Sequence, residues 1–140
     1  MPSVRFFYED CPFRLSNRLK IKEWVKQPIA HYGFELLNLN FIFCSDSYLH
    51  SINLQYLNHD TYTDIITFDN SETDKIVEGD IFISIDRVKD NASKLKIAFE
   101  TELNRVIIHG VLHLLGFKDK TKTEQQKMRA EEERWLATFQ

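Results

Sequence analysis

The stretch TELNRVIIHGVLHLLGFKD, residues 101–119, decides how the fold is read. At about 100° per residue, Leu103, Ile107, Val111 and Leu114 fall on one broad apolar stripe, widened by Ile108 and Leu115. A helix with such a stripe packs into a core. Glu102, Arg105, His109 and His113 fall on the opposite side. Gly116 supplies the left-handed residue that stops the helix after Leu115. This is the most hydrophobic helix in the chain, and the other elements are expected to assemble around it.

Working outward, Val4 to Tyr8 is a short apolar run, and Leu37 to Phe43 begins with the polar/apolar alternation of a half-buried strand. Between them Ile21, Trp24, Val25 and Ile29 recur at helical spacing, with Pro28 expected to kink or end the helix and Gly33 to mark the return turn. Ser45 is a candidate N-cap for a helix through Tyr48, Leu49, Ile52 and Tyr56 that runs to about Leu57. Asp64 to Phe68 and Asp80 to Ile85 are β-rich and suited to pair as a hairpin, with polar residues 70–79 between them. Helical spacing returns from Asp86 through Val88, Ala92 and Leu95. A last helix is announced by Thr123-Glu124-Gln125-Gln126, which fits a capping box, and carries Met128, Trp135, Leu136 and Phe139. The pattern predicts a single domain over residues 1–140, α+β or α/β, with a small mixed sheet of about four strands packed with helices. The helix over residues 101–115 is expected at its centre, its polar stripe facing a cleft. Strand order and oligomeric state stay open.

The 140 residues suit one domain, and 43% hydrophobic residues with 11 phenylalanines provide for a full core. No apolar run approaches the ~18–20 residues that span a bilayer, and no leader pattern opens the chain. The expectation is a soluble cytoplasmic protein without membrane contact, in which Cys11 and Cys44 are reduced core thiols. A formal charge of −3 gives no global positive field, so a polyanion would need a local patch. Arg18-Lys20-Lys22 with Lys26, and Lys118-Lys120-Lys122, are the short candidates.

His109 and His113 emerge one helical turn apart on the same face, a geometry that holds one metal ion. After the stop at Gly116 the chain can double back, bringing Asp119 to the same point and completing His-x3-His-x2-Gly-x2-Asp. Two histidines on a helix are most often plain surface residues. Here a polar stripe on so apolar a helix, followed by a glycine stop and a carboxylate, points to metal. Two nitrogens and one oxygen suit a catalytic zinc with an open fourth position, and non-haem iron uses a similar triad. A metalloprotease of the His-Glu-x-x-His type needs a general base after the first ligand, where this chain has Gly110.

His109-Gly110-Val111-Leu112-His113-Leu114-Leu115-Gly116-Phe117 resembles the signature of the YbeY family, bacterial metal-dependent endoribonucleases of ribosomal RNA maturation. Asp60-Thr61-Tyr62-Thr63-Asp64-Ile65-Ile66-Thr67-Phe68 is similar to the family's Asp-x-Pro-Thr-Asp-Val-Leu-Ser-Phe stretch, and Gly79-Asp80-Ile81 to its Gly-Asp-Ile strand opening. The likeness runs from about Asn53 to Asp119. Three positions depart from it. Asp119 stands where the family usually has a third histidine, which makes the site harder and lowers its charge by one. Leu57 stands where an arginine is usual, removing a cation expected near the scissile phosphate; His59 and Arg105 are the candidate substitutes, each otherwise an ordinary surface residue. Tyr62 replaces a proline, which changes loop stiffness or offers a stacking surface for a base.

The resemblance implies hydrolysis of single-stranded RNA, ribosomal RNA or the ribosome being the partner. His109, His113 and Asp119 would hold one Zn2+ that lowers the pKa of bound water toward ~7. Lys118 and Lys120 would contact flanking phosphates as positioning charges. Asp64 and Asp80 lie in the family-like segments as candidate catalytic groups or as capping and turn carboxylates, and Thr63 reads as structural. The alternatives are a non-catalytic, metal-stabilised ribosome or RNA-associated factor, favoured by Leu57, and a metallohydrolase of small or peptide substrates, disfavoured by Gly110.

Overall fold

The computed structural model describes residues 2–59 and 61–139, so Asp60 of the family-like segment lies outside the described residues. In chain order the elements are β1 (Ser3–Glu9), α1 (Arg18–His31), β2 (Glu35–Cys44), α2 (Asp46–Leu57), β3 (Ile65–Asp69), β4 (Ile76–Ser84), α3 (Ile85–Leu95), α4 (Phe99–Leu114) and α5 (Lys122–Leu136). The sheet is mixed, in the order β1-β2-β4-β3. β1 and β4 run parallel to β2, and β3 pairs antiparallel with β4. This is the expected α+β architecture, with the hairpin at one edge.

The alternation that marks the strands becomes an aromatic layer. Phe6 lies opposite Phe41 and Tyr8 opposite Phe43, and both pairs stack, with centroids 5.7 and 5.8 Å apart. Phe41 and Phe43 are fully buried. Asn40 and Asp80, also opposite each other, share a hydrogen bond of 2.9 Å, and Asn70 donates to the same carboxylate at 3.3 Å. Asp80 is thus a cross-strand and turn carboxylate. Both cysteines are free thiols: Cys44 is buried, and burial pushes its thiol up to about 12, while Cys11 is half-buried and packs against the main core.

Several boundaries differ from the pattern-based reading. α1 runs through Pro28 to His31. The missing N–H removes one bond, but Pro28 and Ile29 are buried on the face that carries Trp24 and Val25, and that packing continues the helix. β4 begins at Ile76, inside the expected polar loop, because Val77 is buried and pairs opposite Leu36 of β2. Ile85 opens α3 rather than closing β4, since Ser84 caps the helix by accepting from the Arg87 N–H. α4 starts at Phe99. The capping box of α5 uses Thr121 and Glu124 instead of Thr123 and Gln126. Thr121-x-x-Glu124 fits the same pattern two residues earlier, and an ionised carboxylate is the stronger acceptor.

α4 lies at the centre, touching β3, β4, α1, α3 and α5. Of its polar stripe, Arg105, His109 and His113 line a cleft as expected, whereas Glu102 is fully buried. The helix sits close to the sheet at Gly110, where an added Cβ would stand 2.9 Å from Ile65 Cδ1 and from Ile81 Cγ2. Gly79 is tighter, with Phe68 O 2.5 Å from such a Cβ. Two substitutions test this packing by urea unfolding. Gly110→Ala should lower stability by about 1–2 kcal/mol despite alanine's better helix propensity, since it meets side chains that can shift. Gly79→Ala should lose more, because it meets a backbone carbonyl in a sheet.

Candidate metal centre

The end of α4 is built to turn the chain back. Gly116 has φ +101°, the Phe117 N–H reaches Leu112 O at 3.0 Å and the Gly116 N–H reaches His113 O at 3.0 Å. This pair of bonds is a Schellman motif. Five residues later Thr121 starts the next helix with its reciprocal box, so the segment that carries Asp119 is fixed at both ends.

Asp119 Oδ2 consequently lies 3.3 Å from His109 Nε2 and 3.4 Å from His113 Nε2. The three candidate ligand atoms all fall within 4.8 Å of one another. A tetrahedral ion with bonds of about 2.1 Å has ligand–ligand edges of about 3.4 Å, so both nitrogen–oxygen distances fit one shared cation. The side chains grade outward from His109, 15% exposed, to Asp119, 39% exposed, which leaves one side of the point open. Burial, reinforced by the neighbouring His109, holds His113 below its ordinary pKa against the pull of Asp119. Its ring therefore favours the neutral form that a metal ligand needs.

Behind the histidines stands a residue that the sequence reading missed. Glu132 of α5, its side chain 3% exposed, meets His109 Nδ1 at 2.6 Å through Oε2. The bond directs the other nitrogen, Nε2, toward Asp119. Burial alone would raise Glu132, but the His109 hydrogen bond and the Arg105 charge outweigh it and keep the carboxyl below its usual range. The Glu131-Glu132-Glu133 run reads as a solvated face, yet Met128, Glu132 and Trp135 share one stripe at spacings of four and three. A carboxylate on that apolar stripe was the available signal.

Arg105 lines the cleft, but it is neither an ordinary surface residue nor an unpaired cation. Its Nε and Nη2 donate to Glu102 at 2.8 and 2.5 Å, and Nη1 donates to Glu132 Oε1 at 3.3 Å. The Glu102 hydrogen bonds raise its pKa further, so the charge is permanent.

The cleft itself measures about 280 Å³, with Thr63 and Asp64 on the β3 side and Arg105, His109, His113 and Asp119 facing them. Burial raises the Asp64 carboxyl above its usual range, opposed by the charges of Arg105 and His109. His59 is exposed and is not among the lining residues, and Leu57, 40% exposed, ends α2. Lys118 and Lys120 flank Asp119 on the surface without lining the cleft.

An α+β chain with a His-x3-His helix, a carboxylate returned by a glycine turn and a buried carboxylate behind the first histidine presents a candidate metal centre in a cleft. Comparison with known proteins gives the family. The family described as endoribonuclease YbeY matches residues 13–140. A relative named endoribonuclease YbeY from Amoebophilus asiaticus is 52% identical, with 93% of this chain and 88% of the relative covered. Another of that name, from Cytophaga hutchinsonii, is 50% identical over 96% of this chain and 94% of its own. The solution structure of TM1509 from Thermotoga maritima shares the fold, at TM-score 0.62 and 24% identity, covering 94% of this chain and 86% of that one. This chain belongs to the YbeY family.

Glu132→Gln tests the support behind His109. In competition with a chelator, its divalent-metal affinity should fall roughly 10- to 100-fold, the usual effect of losing an outer-shell partner. Circular dichroism should show the helices intact. An unchanged affinity would mean that Glu132 does not position the ligand.

Proposed function

We propose that this chain is a zinc-dependent endoribonuclease that hydrolyses phosphodiester bonds in single-stranded RNA and acts in ribosomal RNA maturation in the cytoplasm. The observation that carries this reading is the convergence of His109 Nε2, His113 Nε2 and Asp119 Oδ2 on one point of a cleft, in a member of an endoribonuclease family. Two imidazole nitrogens, one carboxylate oxygen and an open side are the donor set of a catalytic zinc. Bound there, the ion supplies Lewis acidity toward a phosphoryl oxygen and makes water a stronger acid.

The protein's own groups do the rest. Glu132 holds the Nδ1 proton of His109, keeping Nε2 as the donor atom. Arg105 ties Glu132 to Glu102, so three charged groups behind the site keep their places. Asp64 lines the cleft outside the ligand set, and burial favours its protonated form. It is the side chain placed to hold a proton for the leaving oxygen. Lys118 and Lys120 on the rim meet flanking phosphates. Gly110 offers no base, and there is no room for one between Ile65 and Ile81, which argues against a peptidase.

Elemental analysis should find one zinc per chain, and a chelator should abolish cleavage of labelled single-stranded RNA while peptides remain uncut. A metal-free preparation that cuts equally well would overturn the mechanism. His113→Ala should lose most of the metal and the activity yet stay folded, since its side chain is 27% exposed and the core stripe lies elsewhere. Asp64→Asn should keep its zinc and lower kcat about 100-fold, the lower end of what proton transfer contributes.

A further inference from the structure

Beside the cleft the chain presents Tyr62, 57% exposed, on a loop that is tightly held. Asn53 of α2, itself buried, donates to the Thr61 carbonyl at 3.0 Å and to Thr61 Oγ1 at 3.2 Å. On the other side of Tyr62, the Asp64 carbonyl accepts from the Ser84 N–H at 2.9 Å. The tyrosine ring lies nearly flat on His50 of α2, with centroids 4.3 Å apart and planes at 15°. The Arg87 guanidinium of α3 lies over the ring at 5.8 Å from its centroid, too far to cover it, and more than half of the side chain stays open to solvent. What sets Tyr62 apart from the other exposed apolar side chains is that its ring is stacked and its loop tied down on both sides. Its next two residues, Thr63 and Asp64, form one wall of the cleft.

The charges around it decide what it fits. Arg87 pairs with Asp46 at 2.7 Å and with Asp90 at 3.8 Å, so its charge is already met by two carboxylates. Across the cleft Arg105 is met by Glu102 and Glu132. Neither arginine at this end of the site is left to hold a phosphate, whereas an uncharged π face suits a base. We propose that Tyr62, backed by His50 and braced by Arg87, is a stacking platform for an unpaired nucleobase next to the phosphate seated in the cleft. The proposal rests on the reading of the site as an RNA hydrolase. Stacking accepts any base and demands an unpaired one, so the platform favours single strands without reading sequence.

The test scans an abasic nucleotide along a short oligoribonucleotide cleaved by the zinc-loaded enzyme. One position flanking the cut should raise KM roughly tenfold with kcat little changed, the mark of binding equal in ground and transition states. Tyr62→Ala should raise KM on the intact oligomer by a similar factor and erase the positional penalty, whereas Tyr62→Phe, which keeps the π face, should restore both. A merely structural role would lower the rate on every oligomer alike. As a readout independent of cleavage, 2-aminopurine at that position should be quenched on binding to the parent protein and to Tyr62→Phe, and not to Tyr62→Ala. RNA cleavage with no abasic penalty, or quenching that survives Tyr62→Ala, would overturn the platform and leave the hydrolase reading standing. Absence of RNA cleavage would overturn that reading, and the quenching measurement would still decide the platform.

Discussion

A line of hydrogen-bonded polar side chains, Glu102, Arg105, Glu132 and His109, runs behind the cleft, and the site depends on it. Three of its members are on α4 and one is on α5. Ion pairs of this depth add little net stability over an apolar core, but removing one member strands a buried charge at a penalty of about 3–5 kcal/mol. Their effect is therefore to fix register. α5 can dock on α4 in the arrangement that brings Glu132 between Arg105 and His109, and the same docking seats Met128 and Trp135 in the core. Packing and ligand orientation are set by one geometry, so a shift of α5 would disturb both.

Much of this was legible in the residues. The period of α4, the glycine stop and the return of Asp119 depend on local rules, which act over a few residues and leave a clear pattern. What escaped depends on contacts between distant segments. Glu132 and Glu102 look like surface carboxylates until the helix faces are compared across the fold. Pro28 looks like a terminator because its local penalty is visible and the compensating burial is not. The first residues of β4 look like loop because pairing with β2, and not composition, makes them a strand. Arg105 was weighed as a phosphate-directed cation or a surface residue, and its two carboxylate partners lie 3 residues before and 27 after it.

Gly110 shows how one position can be read correctly for an incomplete reason. From sequence it is the absence of a protease's base. In three dimensions it is the point where α4 rests against Ile65 and Ile81, close enough that even a methyl group would make their side chains give way. That spacing sets how far His109, one residue earlier, stands from Asp64 on the facing wall. The missing side chain thus defines the width of the cleft as well as its chemistry.

The stretch between Gly116 and Thr121 carries a last implication. It is clamped by backbone bonds at one end and by a side-chain box at the other, and neither uses Asp119. The backbone that carries Asp119 is held in place by stereochemistry that owes nothing to a cation. Small zinc modules are the opposite case, collapsing when stripped because the ion is their core. A loop held this way would keep its shape with or without a cation beside it, so an ion could enter and leave without the chain having to refold.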